Sequence, residues 1–301
     1  MVQIVNNQKT KKKLNLKNDV VFKAFFSRKG NEEFLIDFLE ALLKIKIKEI
    51  QIREEVNLEQ LAVYEKGGRL DLQAVLDNGV IVNIELQLRN EYNIEQRTTY
   101  YSSKVISRET EKGADYEDIK KVIMINILNY NILSFNEYIS ETAIVLDKHR
   151  EYEVLKGIKW YFIELPKFRK SNPDMNEKLN QWLALIDDSD KGMIKVAEEK
   201  NETLKKARVE MKYLTGDEEV RRLAELREKW EMDRVSAINY AERKGEERGR
   251  KLGKKEGKKE GEREGKKRRN IEIAKEMKNK KIGVELIAEI TKLTIEEIEN
   301  L

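Results

Sequence analysis

The chain has no cysteine and a single histidine among its 301 residues. Without thiols there is no disulfide framework, no zinc knuckle and no thiol nucleophile. One imidazole argues against zinc sites that need several and against a Ser-His-Asp triad. His149 lies in the polar run Asp147-Lys148-His149-Arg150, where a surface position is expected. A metal must then be held by oxygen, which favours Mg²⁺ or Mn²⁺. No apolar run is long enough to span a bilayer, and the N-terminus lacks a signal-peptide pattern, so a cytoplasmic protein without a membrane partner is expected. Proline occurs only at Pro166 and Pro173. Proline fixes its own φ and biases its predecessor away from helix, so the pair marks an expected boundary near residue 170.

Two short alternating runs stand out against this background. Leu70, Leu72, Ala74 and Leu76 alternate with Asp71, Gln73 and Val75, and Val80, Val82, Ile84, Leu86 and Leu88 alternate with Asn83, Glu85 and Gln87. Asp77-Asn78-Gly79 separates them, which predicts a β-hairpin. A two-residue Asn78-Gly79 turn would set the apolar row of one strand against the polar row of the other. A three-residue loop with Gly79 in the left-handed region pairs Leu76 with Val80 and puts both apolar rows on one face. Counting along that ladder sets Asp71 opposite Glu85, with Gln87 on the same side. Opposite Cβ atoms lie ~5 Å apart, close enough for two carboxylates to hold one cation. The alternative is an ordinary solvated acidic face.

Around the hairpin the pattern mixes elements. Helices are expected at Asp19 to Phe26, from Glu33 to Leu43 and from Ile94 to Lys112. Strands are expected at Lys48 to Arg53, Val122 to Leu128 and Ile158 to Leu165. Helices flanking a mixed sheet make an α/β/α sandwich. After Pro173 the chain reads as helical, with Trp182, Leu183, Leu185 and Ile186, then Leu223, Leu226 and Trp230, at the spacing of a packing face.

Residues 241–270 carry fourteen Lys or Arg against seven Glu, a net of +7, which leaves −3 for the rest of a chain whose total is +4. Glycine recurs at every fourth position from Gly245 to Gly265. Each glycine costs a helix ~1 kcal/mol relative to alanine, so a mobile linker is expected, with a marginal helix as the alternative. Such a segment holds phosphates without reading sequence, or is a solvated spacer. Residues 271–301 read as a small helical unit, and Thr294 with Glu297 makes a capping box. Glu296, Glu297 and Glu299 argue against a DNA-reading helix and for protein contact, including a homo-oligomer through these helices. The resulting division is a core over 1–170, a helical extension over 171–240, a basic linker over 241–270 and a helical unit over 271–301.

The ordered set Asn18-Asp19-Val20-Val21-Phe22-Lys23, Asp71, Ile84-Glu85-Leu86-Gln87, Arg97, Tyr100-Tyr101, Gly113-Ala114-Asp115-Tyr116 and Val122 to Leu128 resembles the PD-(D/E)XK nuclease family transposases. That family includes the Rpn group of recombination-promoting nucleases. The resemblance extends from about residue 15 to 165, and more loosely into the tail. It implies the restriction-endonuclease-like form of the sandwich and a Mg²⁺- or Mn²⁺-dependent DNA endonuclease linked to recombination or mobile elements. Asp71 and Glu85 are then the metal ligands, with Asp71, Glu85 and Gln87 catalytic. Gln87 stands where the wider superfamily often has lysine, and glutamine is usual here in the resembled family. A carboxamide orients water or offers its carbonyl to a cation, but it is no base at neutral pH.

Arg97 and Tyr101 are i, i+4 neighbours, either to grip a phosphate or, for Arg97, to pair with Glu85. Asp19 is a candidate third acid or, like Asn18, an N-cap, and Glu33 is a weaker candidate acid. Two other readings stay open: a catalytically silent DNA-binding or regulatory protein retaining the fold, and an assembly module acting through its tail.

Overall fold

The computed structural model describes residues 14–53, 72–110 and 115–301. Asp71, together with Arg69-Leu70 and Gly113-Ala114, lies outside the described residues. By packing, the chain divides into residues 1–230 and 231–301.

The first unit opens with α1 (Asp19–Ser27) and α2 (Glu32–Leu43). The side chain of Asn18 accepts from the Val21 N–H and is therefore the α1 N-cap. The strands are β1 (Ile50–Arg53), β2 (Leu72–Leu76) and β3 (Ile81–Gln87). After α3 (Ile94–Glu109) come β4 (Val122–Leu128) and β5 (Ile139–Glu141). The hairpin of β6 (Ile144–Leu146) and β7 (His149–Leu155) follows, then β8 (Ile158–Glu164). Among the described residues, six strands form one sheet in the order β1-β2-β3-β4-β8-β5, and β6 pairs with β7. Strands β3, β4 and β8 run parallel in the middle, while β1, β2 and β5 are antiparallel to their neighbours.

The β2–β3 register follows the three-residue loop. Leu72 faces Ile84 and Ala74 faces Val82, while the Leu76 N–H donates to Val80 O at 2.9 Å. Gly79 has φ +79°, the left-handed conformation that closes such a loop. The apolar row of Leu72, Ala74, Val82 and Ile84 packs with Phe22, Phe25, Phe38 and Leu39 of α1 and α2. The opposite row is not solvated. Asn83, Glu85 and Gln87 are buried, because β3 is a central strand and α3 covers its second face. Tyr101, Val105 and Ile106 of α3 pack there on Ile81, Val122 and Met124.

The helices after Pro166 belong to the same core. They are α4 (Leu165–Lys170), α5 (Lys178–Asp187), α6 (Lys191–Lys200) and α7 (Glu202–Leu214). Trp182 is fully buried, with its ring centroid 6.0 Å from Phe26 and 6.3 Å from Phe38. The expected break near residue 170 is therefore no packing boundary. Pro166 sits in the first turn of α4, where its missing N–H costs nothing. The start of α8 (Glu218–Asn279) also contributes Val220, Leu223 and Ala224 to this core.

Residues 241–270 lie inside the 62-residue α8, so the expected linker is helical in the structure. A Cβ at Gly245, Gly249, Gly253, Gly257, Gly261 or Gly265 would meet nothing within 4 Å, so the glycines serve no close contact among the described residues. In the second unit, Ala274 of α8 packs with Ile287 of α9 (Val284–Thr291), Leu293, and Ile298 of α10 (Ile295–Glu299). The expected capping box forms: Thr294 Oγ1 accepts from the Glu297 N–H at 3.1 Å, and Glu297 accepts from the Thr294 N–H at 3.0 Å. His149 is two-thirds exposed, on β7.

Candidate active site

The polar row of β3 converges on Glu85. Its carboxylate is 3% exposed as a residue, and Oε1 accepts from Gln87 Nε2 at 2.7 Å and from Arg97 Nη2. Arg97 reaches it from the first turn of α3, and its Nη1 donates to Glu91 at 3.2 Å. A buried charge needs such a partner, and removing one side of such a pair costs about 3–5 kcal/mol. Of the two roles expected for Arg97, the structure shows the pairing with Glu85. Its Nε is buried and has no acceptor among the described residues.

Several contacts seat α3 over this row. Arg108 donates to Gln73 at 2.6 Å. Near the helix end, the Arg53 guanidinium beside Glu109 holds its carboxyl below the usual carboxylate range, with Lys120 and Arg108 adding to the effect against burial. Thr98 and Asn126 are fully buried under the helix. The Thr98 hydroxyl is shared between Ile94 O (2.8 Å) and Asn126 Oδ1 (3.3 Å), and Asn126 Nδ2 donates to Tyr161 O. Asn126 is the register neighbour of Glu85 across the parallel ladder.

The other expected site residues separate. Tyr101 joins the apolar cluster under α3 and meets Tyr100 edge-on at 5.4 Å. Asp19 belongs to α1, in the layer on the other face of the sheet, and its Oδ2 accepts from Arg227 Nε at 2.7 Å. Of the two candidates for the N-cap of α1, Asn18 fills the role. Glu33 is half-exposed and pairs with Lys206 at 3.9 Å.

Residues that sequence reasoning missed lie just past the strand ends. Tyr130 donates its hydroxyl to Gln87 Oε1 at 2.5 Å, and the Asn129 N–H donates to Gln87 O at 2.8 Å. Fully buried Glu164, at the end of β8, accepts from the N–H groups of Ile132 (2.6 Å) and Leu133 (3.3 Å) and pairs with Lys167 at 2.5 Å. The available signal was positional, because Asn129-Tyr130 directly follows a parallel strand, where α/β sheets place ligand-binding groups.

As a cation site, the described residues offer oxygen donors only, which suits a hard divalent ion. Glu85 is the carboxylate on the strand, Glu91 lies across the Arg97 guanidinium from it, and among the described residues no group of three or more His, Cys, Asp or Glu gathers. Ligand type fits; ligand number fits once a second carboxylate stands beside Glu85.

A mixed sheet with parallel centre, helices on both faces and a buried acid–amide pair on the central strand defines a nuclease-fold α/β protein. The family model of the PD-(D/E)XK nuclease family transposase matches residues 16–241, and the chain belongs to that family. No curated protein and no solved structure matches it. Among the described residues, no helix is long and apolar enough to cross a membrane.

Proposed function

We propose that the protein is a Mg²⁺- or Mn²⁺-dependent DNA endonuclease serving recombination or mobile-element movement. The observation that carries this reading is Glu85, buried beside Gln87 on the central strand and joined to Arg97. The β2–β3 ladder, continued one pair beyond Leu72 and Ile84, supports Asp71 as the second carboxylate facing Glu85. Asp71 and Glu85 would hold the ion. An ion held there supplies Lewis acidity toward a phosphate oxygen and lowers the pKa of a water.

The chain's own groups do the rest. Gln87 donates into Glu85 and so fixes the rotamer of the ligand carboxylate. Arg97, whose buried Nε has no acceptor among the described residues, turns toward a non-bridging phosphate oxygen as DNA enters and takes up the charge of the in-line displacement. The basic stretch 241–270 concentrates DNA through its phosphates without selecting sequence.

Supercoiled plasmid incubated with Mg²⁺ or Mn²⁺ tests this. Nicking is expected from the native chain, and loss of at least a hundredfold with Asp71→Ala or with EDTA. The Arg97–Glu85 pair favours a second reading, a DNA-binding protein whose site is held closed. Salt-dependent binding without any metal-stimulated nicking would select it.

A further inference from the structure

We infer that Tyr130 is a positioning residue that locks the Gln87 carboxamide in the orientation Glu85 imposes. The assignment follows from donor chemistry. An ionised carboxylate only accepts, so the amide nitrogen must turn to Glu85, and Nε2 lies 2.7 Å from Oε1 there. The carbonyl end then points away and receives the Tyr130 hydroxyl at 2.5 Å. Gln87 is 8% exposed, so its Oε1 would pay a desolvation penalty without that donor. With it, the amide has one orientation, and its carbonyl is withheld from any cation beside Glu85. Of the two chemistries a glutamine offers here, donating through nitrogen or ligating through oxygen, Glu85 selects the first and Tyr130 holds the amide to it.

Tyr130 is built into place. The Asn129 N–H donates to Gln87 O, which ties the start of the loop to β3. Arg169 Nη2 holds Asn129 Oδ1 at 3.0 Å. Glu164 gathers the Ile132 and Leu133 N–H groups, and Lys167 balances its charge. The Tyr130 ring packs on Ile94, Leu128 and Phe162. The loop after β4 is thus fastened to β3 on one side and to β8 and α4 on the other, with the tyrosine hydroxyl at its working end.

The inference rests on the nuclease reading for its catalytic consequence, but not for its geometry. The test uses the full chain labelled with ¹⁵N, in native form and as Tyr130→Phe, Gln87→Met and the double variant. The side-chain amide pair lost in Gln87→Met identifies Gln87. Tyr130→Phe is expected to shift that pair and speed its solvent exchange. Mn²⁺ titration calorimetry is expected to show about tenfold weaker binding in Tyr130→Phe, with the double variant no weaker than Gln87→Met alone. On plasmid, kcat falls about tenfold while KM for DNA stays level. An unmoved Gln87 amide overturns the inference, as does a double variant whose losses add. A native chain that neither binds Mn²⁺ nor nicks DNA, yet whose Gln87 amide moves in Tyr130→Phe, overturns the nuclease reading and leaves the positioning role standing.

Discussion

At the scale of the residue, the buried acids described above are matched to donors, and such matches carry stability as well as chemistry. Asp37 shows this away from the candidate site. Burial pushes its carboxyl up, but Lys178, Trp182 and Asn201 together outweigh burial and hold it below the usual carboxylate range. A carboxyl depressed on folding stabilises the protein above its unfolded pKa, and that contribution fades as pH falls toward the folded value. Asp37→Asn is therefore expected to cost about 1–3 kcal/mol at pH 7, with the gap narrowing below about pH 4. Urea denaturation of both forms at several pH values measures it. The same residue joins α2 to the buried Trp182, which explains why a lone aspartate on an amphipathic helix gave no such signal in the sequence. Its partners arrive from 141 to 164 positions away.

At the scale of the element, legibility followed locality. The β2–β3 register was readable because alternation and Gly79 act within a dozen residues, and the observed pairs match it. The burial of its polar row was not, because Thr98 and Ser102 of α3 are polar by type and buried only by what they meet. Strands β5, β6 and β7 went unseen: two are three residues long, and β7 is charged and exposed. The clearest departure is residues 241–270. Glycine's helix penalty argued for a linker, yet the segment continues a helix, aided by pairs such as Lys251 with Glu247 at 2.8 Å. Open space surrounds each glycine's missing Cβ, which makes the helix testable. Replacing Gly249, Gly253, Gly257 and Gly261 by alanine should stabilise it by about 0.5–1 kcal/mol per site, read as increased ellipticity at 222 nm on heating. A true linker would gain little.

At the scale of the whole molecule, the core and the charge reside in different places. The first unit carries the sheet, the candidate site and the buried aromatic cluster, and its last buried apolar residue in that cluster is Ala224. The positive excess sits at 241–270. A chain ending at residue 241 should keep its thermal midpoint within a few degrees. It should lose DNA affinity most at low salt, with a shallower dependence of log affinity on log salt. Fluorescence anisotropy of a labelled duplex at several salt concentrations measures both. An unchanged slope would place the phosphate contacts on the sheet-bearing unit instead.

Among the described strands, β6 and β7 pair with each other and stand apart from the six of the main sheet. The chain leaves the main sheet after Glu141 and rejoins it at Ile158, and beside these ends the Thr142 N–H donates to Trp160 O at 2.9 Å. Everything between is an excursion whose ends meet, so its length and content are decoupled from the ladder that carries Glu85. Insertions and deletions there are expected to leave the chemistry at Glu85 intact. For the bench, it is the place to graft a fluorophore or an affinity tag.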